Sequence, residues 1–547
     1  MPSTKFKVAC ALLTGVMLGC SFPPMPTGVL AAFAFVPFFI LFEFIQSYGS
    51  AFRYTYLAFL IVNVITLYWP GGFVHAKDLY LMISGVLLIL AHPLFFCIPI
   101  LGWMYLRRHI GIRVSLWMFP LIWITFEYLH SLFEIGFPWI TLGNTQTYDI
   151  SLVQFISYTG VYGLSLWLLL MNVIAYTLYS KLSSNELKPR SIKTISVVLG
   201  LLIMYFLPKI YGNSIVQRRE HVSTENQVRV GIVQPNIDPF DKWQTTSAHQ
   251  QIGILQQLTH EVSQHNVELV IWPETAIPFY ILDPQNRSYL ISLEQQAHQM
   301  QSNLLTGIPY RIFYKEGDDI PQSSKVAEDG RRYDSFNSSM LLHPDDDEIQ
   351  IYSKMLLVPF AERVPFSEEL SFLNAMQWNF GLGGWGIGRD TTVFRFKTKS
   401  NQEVTFSNLI CYESVYPGFV ANFVRKGAEF LTIITNDSWW GNTSGAYQHV
   451  QFALLRAVEN RRWIARCANG GISCFIDPFG RILQPTRLYT QGYIIGELEP
   501  RNNLTFYSRY GDWLPEISLM ICGFFFAAAM GKMFYLKYRM KEGREIY

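Results

Sequence analysis

The stretch Asn408-Leu409-Ile410-Cys411-Tyr412-Glu413-Ser414 decides how this chain is read. Its cysteine ends an apolar, strand-like run over 404–410 and is followed at once by polar residues. A thiol at the tip of a strand is held rigidly and still reaches a cleft. Alone, such a cysteine is more often an inert core residue than a nucleophile. Two further strings change that. Val270-Ile271-Trp272-Pro273-Glu274-Thr275 ends a second strand-like run on a carboxylate. Tyr352-Ser353-Lys354-Met355, leading into Val358-Pro359-Phe360-Ala361-Glu362, sets a lysine after a third. Glutamate, lysine and cysteine in that order, each at a strand end, point to a catalytic thiol served by a base and a cation.

The composition is that of a membrane protein with one large aqueous domain. Of 547 residues, 50% are hydrophobic and 15% charged, against about a quarter charged in a typical soluble chain. The apolar excess crowds residues 8–211, returns at 514–536 and is diluted between them. Seven apolar stretches are read at 8–24, 28–46, 53–72, 79–106, 114–132, 152–180 and 194–211, and an eighth at 514–535. Most approach the ~20 residues that a helix needs to cross a bilayer. Lys5 and Lys7 precede the first, and Met17-Leu18-Gly19-Cys20 within it loosely matches a lipoprotein cleavage box. Six more stretches follow, so the segment is read as a retained span rather than a signal peptide.

Positive charge sets an orientation. Basic residues gather before the first stretch (Lys5, Lys7), after the second (Arg53), the fourth (Arg107, Arg108, Arg113) and the sixth (Lys181, Lys188, Arg190, Lys193), and past the eighth (Lys537, Arg539, Lys541, Arg544). The intervening short loops hold almost none, Lys77 being the exception. Eight spans then put both termini in the cytoplasm and the segment between spans seven and eight outside, which in a Gram-negative cell is the periplasm of the inner membrane. The expected organisation is a seven-span domain over 1–219, a catalytic domain over 220–505, and an eighth helix with a basic tail over 506–547. A net charge of +2 makes no case for nucleic acid. Of the seven cysteines, only Cys411, Cys467 and Cys474 fall in the aqueous domain; the last two could pair in an oxidising compartment, but the apolar residues flanking them favour buried free thiols. No zinc spacing, EF-hand or phosphate-binding loop is present, so neither a metal nor a cofactor is expected.

Within the aqueous domain, β-rich runs recur at 228–234, 269–272, 304–308, 338–342, 404–410, 430–435, 472–476 and 493–498, with helix-like segments at 247–264 and 447–468 between some of them. Such alternation predicts an α/β layered fold. Several runs end in polar groups, including Gln234-Pro235-Asn236 and Thr435-Asn436-Asp437, as α/β enzymes do when they assemble a site.

The strings Trp272-Pro273-Glu274-Thr275, Tyr352-Ser353-Lys354 through Glu362, Ile410-Cys411-Tyr412-Glu413-Ser414 and Thr435-Asn436-Asp437-Ser438-Trp439-Trp440-Gly441 resemble the nitrilase, or carbon-nitrogen hydrolase, superfamily. The spans, the loop Gly136-Phe137-Pro138-Trp139 and the pair Lys242-Trp243 resemble, end to end, its membrane-bound branch, the apolipoprotein N-acyltransferases. Departures are mild: Ala361 stands where glycine is usual and Trp440 where phenylalanine is.

The resemblance implies a multi-span α-helical membrane domain with an αββα sandwich. It implies a phospholipid acyl donor and a diacylated apolipoprotein acceptor, joined through a thioester. Cys411 is the expected nucleophile, Glu274 the base and Lys354 the cation that meets the oxyanion together with the backbone N–H after Cys411. Glu362, Glu413, Tyr412 and Asn337 are expected to support them. Trp139, Trp243 and Trp439 are candidate lipid-contact or lid aromatics, against the plainer reading of core or interface tryptophans. Trp385 belongs with them, in Phe380-Gly381-Leu382-Gly383-Gly384-Trp385-Gly386-Ile387-Gly388, which reads as a lid or as a loose connection. Two other functions compete: a membrane-tethered amidase of the same superfamily, in which water resolves the thioester, and a non-catalytic scaffold, for which an intact Glu-Lys-Cys set has no use.

Overall fold

The structure, a computed structural model, describes residues 2–74, 78–217, 227–240, 242, 248–321, 324–346, 348–370 and 384–541. Trp243 and the Phe380–Gly383 part of the glycine-rich run lie outside these residues. The apolar stretches form α1 (Thr4–Gly19), α2 (Val36–Glu43), α3 (Tyr48–Thr66), α4 (Leu79–Ala91), α5 (Pro93–Ile110), α6 (Ile112–Leu132), the short α7 (Ile156–Thr159), α8 (Val161–Ser183) and α9 (Ile192–Gln217). Five segments among the described residues are long and apolar enough to cross a membrane: Leu79–Ile110, Ile112–Leu132, Val161–Ser183, Ile192–Gln217 and Trp513–Tyr538.

The stretch at 28–46 departs from the continuous helix expected of it. It is a 3-10 turn, Gly28–Ala32, followed by the eight-residue α2. A Cβ on Gly28 would stand 2.2 Å from the carbonyl oxygen of Thr145, so the chain is pressed against its neighbour there. The broken backbone is satisfied by Asn172 of α8, whose Oδ1 accepts from Phe35 N–H at 2.8 Å and whose Nδ2 donates to Ala31 O at 2.8 Å. Non-helical backbone is tolerated at membrane depth when protein groups complete its hydrogen bonds in this way. At 152–180, likewise, only α8 is a long helix; the chain before it turns through Gly160, at φ 64°.

The remaining chain is a four-layer sandwich. One sheet runs in the order β13 (Gly492–Leu498), β1 (Val228–Gln234), β2 (Leu269–Ile271), β3 (Asn303–Phe313), β5 (Arg332–Leu342), β4 (Lys325–Val326), with β6 (Gln350–Ser353) also on β5. The other runs β12 (Ile482–Leu483), β11 (Cys474–Ile476), β10 (Ile464–Ala468), β9 (Phe430–Thr435), β8 (Glu403–Ile410), β7 (Phe394–Lys397). Alternation along a strand sends successive side chains to opposite faces. Val230, Ile232 and Leu305 thus join Phe406, Ile410, Ile434 and Ala465 in the core between the sheets, while Val233, Val270 and Leu304 face outward under α10 (Ala248–Ser263) and α11 (Arg287–Met300). On the far side α12 (Pro417–Arg425) and α13 (Ser444–Asn460) cover the second sheet. The chain then passes through α14 (Phe506–Tyr510) to the last apolar helix, α15 (Trp513–Lys541).

The helix read over 447–468 is a correction. Arg461 takes a left-handed conformation, φ 50°, and ends α13 at Asn460; residues 464–468 then form β10, parallel to β9. A short apolar run fits a buried strand as well as a buried helix, and here the ladder with β9 decides. Cys467 and Cys474 are buried and free.

Candidate active site

β8 runs parallel to β9, and at its end Cys411 turns out of the sheet with φ 52°. That left-handed conformation costs a non-glycine residue on the order of 1–3 kcal/mol and persists only where surrounding structure holds it. Glu413 supplies one restraint. Its Oε2 accepts from Ile410 N–H at 2.8 Å; its Oε1 accepts from Met355 N–H at 2.7 Å, Leu356 N–H at 3.3 Å and the Tyr352 hydroxyl at 2.7 Å. One buried carboxyl therefore ties the nucleophile's strand to the segment that carries the lysine. Burial pushes this carboxyl up to about 7, while the donors of Ile410, Tyr352 and Met355 pull it down.

Lys354 follows β6, its N–H bonded to Asn337 O at 2.8 Å. Its Nζ lies 2.8 Å from Glu362 Oε1 and 3.4 Å from Glu274 Oε1. Asn337 Nδ2 donates to the same two oxygens, at 3.2 and 2.7 Å. The other oxygens are held by backbone: Asn436 N–H to Glu274 Oε2 at 3.1 Å, and Val358 N–H to Glu362 Oε2 at 2.8 Å. Burial works against the charge on Lys354, but Glu362 and Glu274 outweigh it and hold the ammonium above its ordinary value. Burial and then the charge of Glu274 push the Cys411 thiol well above its ordinary value, with Lys354 pulling the other way. A thiol so placed is protonated at neutral pH, so a nucleophile here needs a base beside it.

The remaining predicted residues divide. Tyr412 donates its hydroxyl to Gly136 O at 3.0 Å, as Tyr416 does at 3.1 Å, which docks the nucleophile's turn onto the Gly136–Trp139 loop. Trp139 is packed rather than exposed: it is 1% accessible, lies near-parallel to Tyr412 at 6.4 Å, and donates its indole N–H to Gln448 Oε1 at 2.7 Å. Trp385 is bound through its backbone, its N–H to Glu362 O at 3.3 Å. Trp439 is partly exposed, edge-on to Phe240 at 5.1 Å. A cleft of about 220 Å³ runs between the end of α6 and the lysine segment, lined by Leu132, Phe133, Glu134, Met355, Leu357 and Arg363 among others.

Sequence reasoning assigned no role to several residues around this site. Lys242 is buried and donates to Thr275 Oγ1 at 2.8 Å and Glu274 O at 3.4 Å, steadying the turn at Thr275, φ 45°. Burial lowers its amine to about 7, with Glu274 pulling upward. Ser414, His449 and Arg466 lie behind Cys411. A lone histidine inside a helix carries no sequence signal of its own; the polar strand end Thr435-Asn436-Asp437 was the visible part of that cluster. Among the described residues no group of three or more His, Cys, Asp or Glu is placed to hold a metal ion.

A double-sheet sandwich with cysteine, lysine and glutamate converging from its strand ends defines a carbon-nitrogen hydrolase domain, and residues 229–502 match the Carbon-nitrogen hydrolase family. Residues 14–174 match the Apolipoprotein N-acyltransferase N-terminal domain. An apolipoprotein N-acyltransferase from Chlorobaculum tepidum is 36% identical over 520 residues, 94% of this chain and 94% of that one. Another, from Geobacter metallireducens, is 31% identical over 509 residues, 92% of this chain and 91% of that one. Among solved structures, Saccharomyces cerevisiae Nit3 of the nitrilase superfamily aligns over 50% of this chain and 91% of its own, at 17% identity and a TM-score of 0.36. The chain belongs to the apolipoprotein N-acyltransferase family, and it is a multi-pass membrane enzyme.

Proposed function

We propose that this enzyme moves a fatty acyl group from a membrane phospholipid to the N-terminal α-amine of a diacylglyceryl-cysteine on an apolipoprotein, by way of a thioester on Cys411. Cys411 Sγ attacks the ester carbonyl while Glu274 takes the thiol proton. The oxyanion forms beside the Lys354 ammonium and the backbone N–H of Tyr412. Collapse breaks the ester C–O bond, and the departing lyso-phospholipid oxygen takes the proton from Glu274. The acceptor amine then attacks the thioester, gives one proton to Glu274, and expels the sulfur, which recovers that proton. Glu362 and Asn337 hold Lys354 and Glu274 in place, and Glu413 holds the turn of Cys411.

The observation that carries this reading is Lys354 Nζ set between two carboxylates, 2.8 Å from Glu362 and 3.4 Å from Glu274, on the strand end beside Cys411. It supports a cation that is permanently charged and a base that is anchored by Asn337 and Asn436. The cleft between α6 and the lysine segment supports entry of a lipid at the height of the membrane helices. The basic clusters support both termini in the cytoplasm and residues 220–505 as a periplasmic domain, with 1–219 as the main membrane domain and 506–547 as a final helix and tail.

Intact mass spectrometry of the purified protein after incubation with phospholipid alone tests the reading. The expected result is a gain of one fatty acyl group, absent in Cys411→Ala and discharged by a diacylated lipopeptide. No adduct, or one lost to water as fast as to the lipopeptide, overturns it; the latter is the amidase outcome.

A further inference from the structure

Behind Cys411 lies a closed set of polar groups that the acyl-transfer steps do not use. Cys411 O accepts from Ser414 Oγ at 2.8 Å and faces His449 Nε2 at 3.1 Å. His449 Nδ1 stands 2.9 Å from Asp437 Oδ1 and 3.0 Å from Arg466 Nη2, and Arg466 Nη2 donates to Asp437 Oδ2 at 2.7 Å. Ser414, His449 and Arg466 are fully buried and Asp437 is 1% accessible. The order serine, histidine, aspartate looks like a hydrolytic triad, but a serine sealed from substrate attacks nothing. What the cluster does touch is the carbonyl of the nucleophile.

A trans peptide unit is rigid and planar, so its C=O and the following N–H point in opposite directions. With Nδ1 accepting from Arg466 Nη2, His449 Nε2 carries the ring N–H; it lies 2.9 Å from Ser414 Oγ and 3.1 Å from Cys411 O. With the Ser414 hydroxyl it holds that carbonyl toward the interior, which turns Tyr412 N–H toward the side from which the thiol is reached. At φ 52°, Cys411 has left the β8 ladder, so its peptide orientation is set by contacts such as these. We propose that His449, backed by Asp437 and Arg466, is a positioning residue that aims the Cys411–Tyr412 peptide at the oxyanion. This rests on the acyl transfer proposed above.

The test compares two reactions of Cys411, one that forms an oxyanion and one that does not. Acylation by phospholipid is followed by intact mass spectrometry, and alkylation by iodoacetamide, a direct displacement at carbon, by the same method. In His449→Leu the maximal acylation rate is expected to fall about 10- to 100-fold, with the half-saturating lipid concentration and the alkylation rate within about twofold of the parent protein's. His449→Gln, whose amide N–H replaces the Nε2 donor, is expected to recover most of the acylation rate. Ser414→Ala, a smaller change that removes the other donor, is expected to slow acylation and spare alkylation in the same way, and decides the matter if His449→Leu does not fold. Equal acylation by parent and variants, or a parallel loss of both reactions, overturns the proposal. If the parent protein takes up no acyl group from phospholipid, the function reading fails and this inference falls with it.

Discussion

Cys411 shares a buried site with two carboxylates, and that company sets its chemistry. Burial and the charge of Glu274 keep its thiol protonated at neutral pH, so reactivity depends on proton removal rather than on a standing thiolate. Glu274→Gln is accordingly expected to slow iodoacetamide alkylation of Cys411 at pH 7 by at least about tenfold, a loss that shrinks as the pH rises and hydroxide takes over. An unchanged alkylation rate would mean a preformed thiolate. Lys242 makes a second, separable prediction. Its amine is depressed to about 7 in the fold and stands near 10.4 in an unfolded chain. Between those values the unfolded state binds a proton that the folded state lacks, so folding stability rises with pH. The parent should therefore gain on Lys242→Met as pH goes from about 7 to 10, measured by detergent-solubilised thermal melts; a gap that stays flat across that window excludes a depressed Lys242.

Among the side chains by which helix α13 joins the membrane helices to the catalytic sandwich, Gln448 makes four hydrogen bonds. Gln448 Oε1 accepts from the indole N–H of Trp69 at 3.0 Å and of Trp139 at 2.7 Å, while its Nε2 donates to Pro23 O at 2.9 Å and Thr66 O at 3.2 Å. All four hydrogen-bonding positions of the amide are used, and the next residue, His449, reaches the nucleophile's carbonyl. Gln448→Leu would leave two indole donors and two carbonyls buried without that partner, each at a cost of about 1–3 kcal/mol. The expected outcome is a melting temperature lower by about 5 °C or more in detergent, whereas a surface change such as Gln295→Leu should leave it in place. Neither α13's end nor this contact was legible in the sequence. Strands β1 and β9 were read at their true bounds, and Glu274, Lys354 and Cys411 stand at the strand ends expected of them, because alternation and an abrupt apolar-to-polar change are local signals. The end of α13 at Asn460 and the break at Ala31–Phe35 depend on partners far along the chain, β9 for the one and Asn172 for the other. Between a lipid-contact or lid aromatic and a core tryptophan, Trp139 is the core one, and the sequence left that open for the same reason: its partner Gln448 lies 309 residues away.

At the scale of the whole molecule, the proposed orientation rests on charge that the folded contacts barely use. Among the described residues, the basic clusters at the membrane ends have few ion-pair partners, whereas buried charges of the sandwich are paired, as Arg466 is with Asp437 at 2.7 Å. Loop cations left to solvent act on topology, since they resist crossing a membrane whose inner side is negative. Gly49, in the first turn of α3 and just ahead of Arg53, would then be cytoplasmic, and the exposed Asp319 of the sandwich periplasmic. A Cβ on Gly49 meets nothing within 4 Å, so a cysteine fits there without disturbance. In a Cys20→Ser background, with the other native cysteines buried, a membrane-impermeant maleimide applied to cells with a permeabilised outer membrane should label Asp319→Cys at once. Gly49→Cys should label only after the inner membrane is disrupted. The reverse pattern would invert the assignment, and labelling of both in intact inner membranes would show that the region from α3 to the sandwich contains an even number of crossings, so that one of the shorter apolar helices does not span.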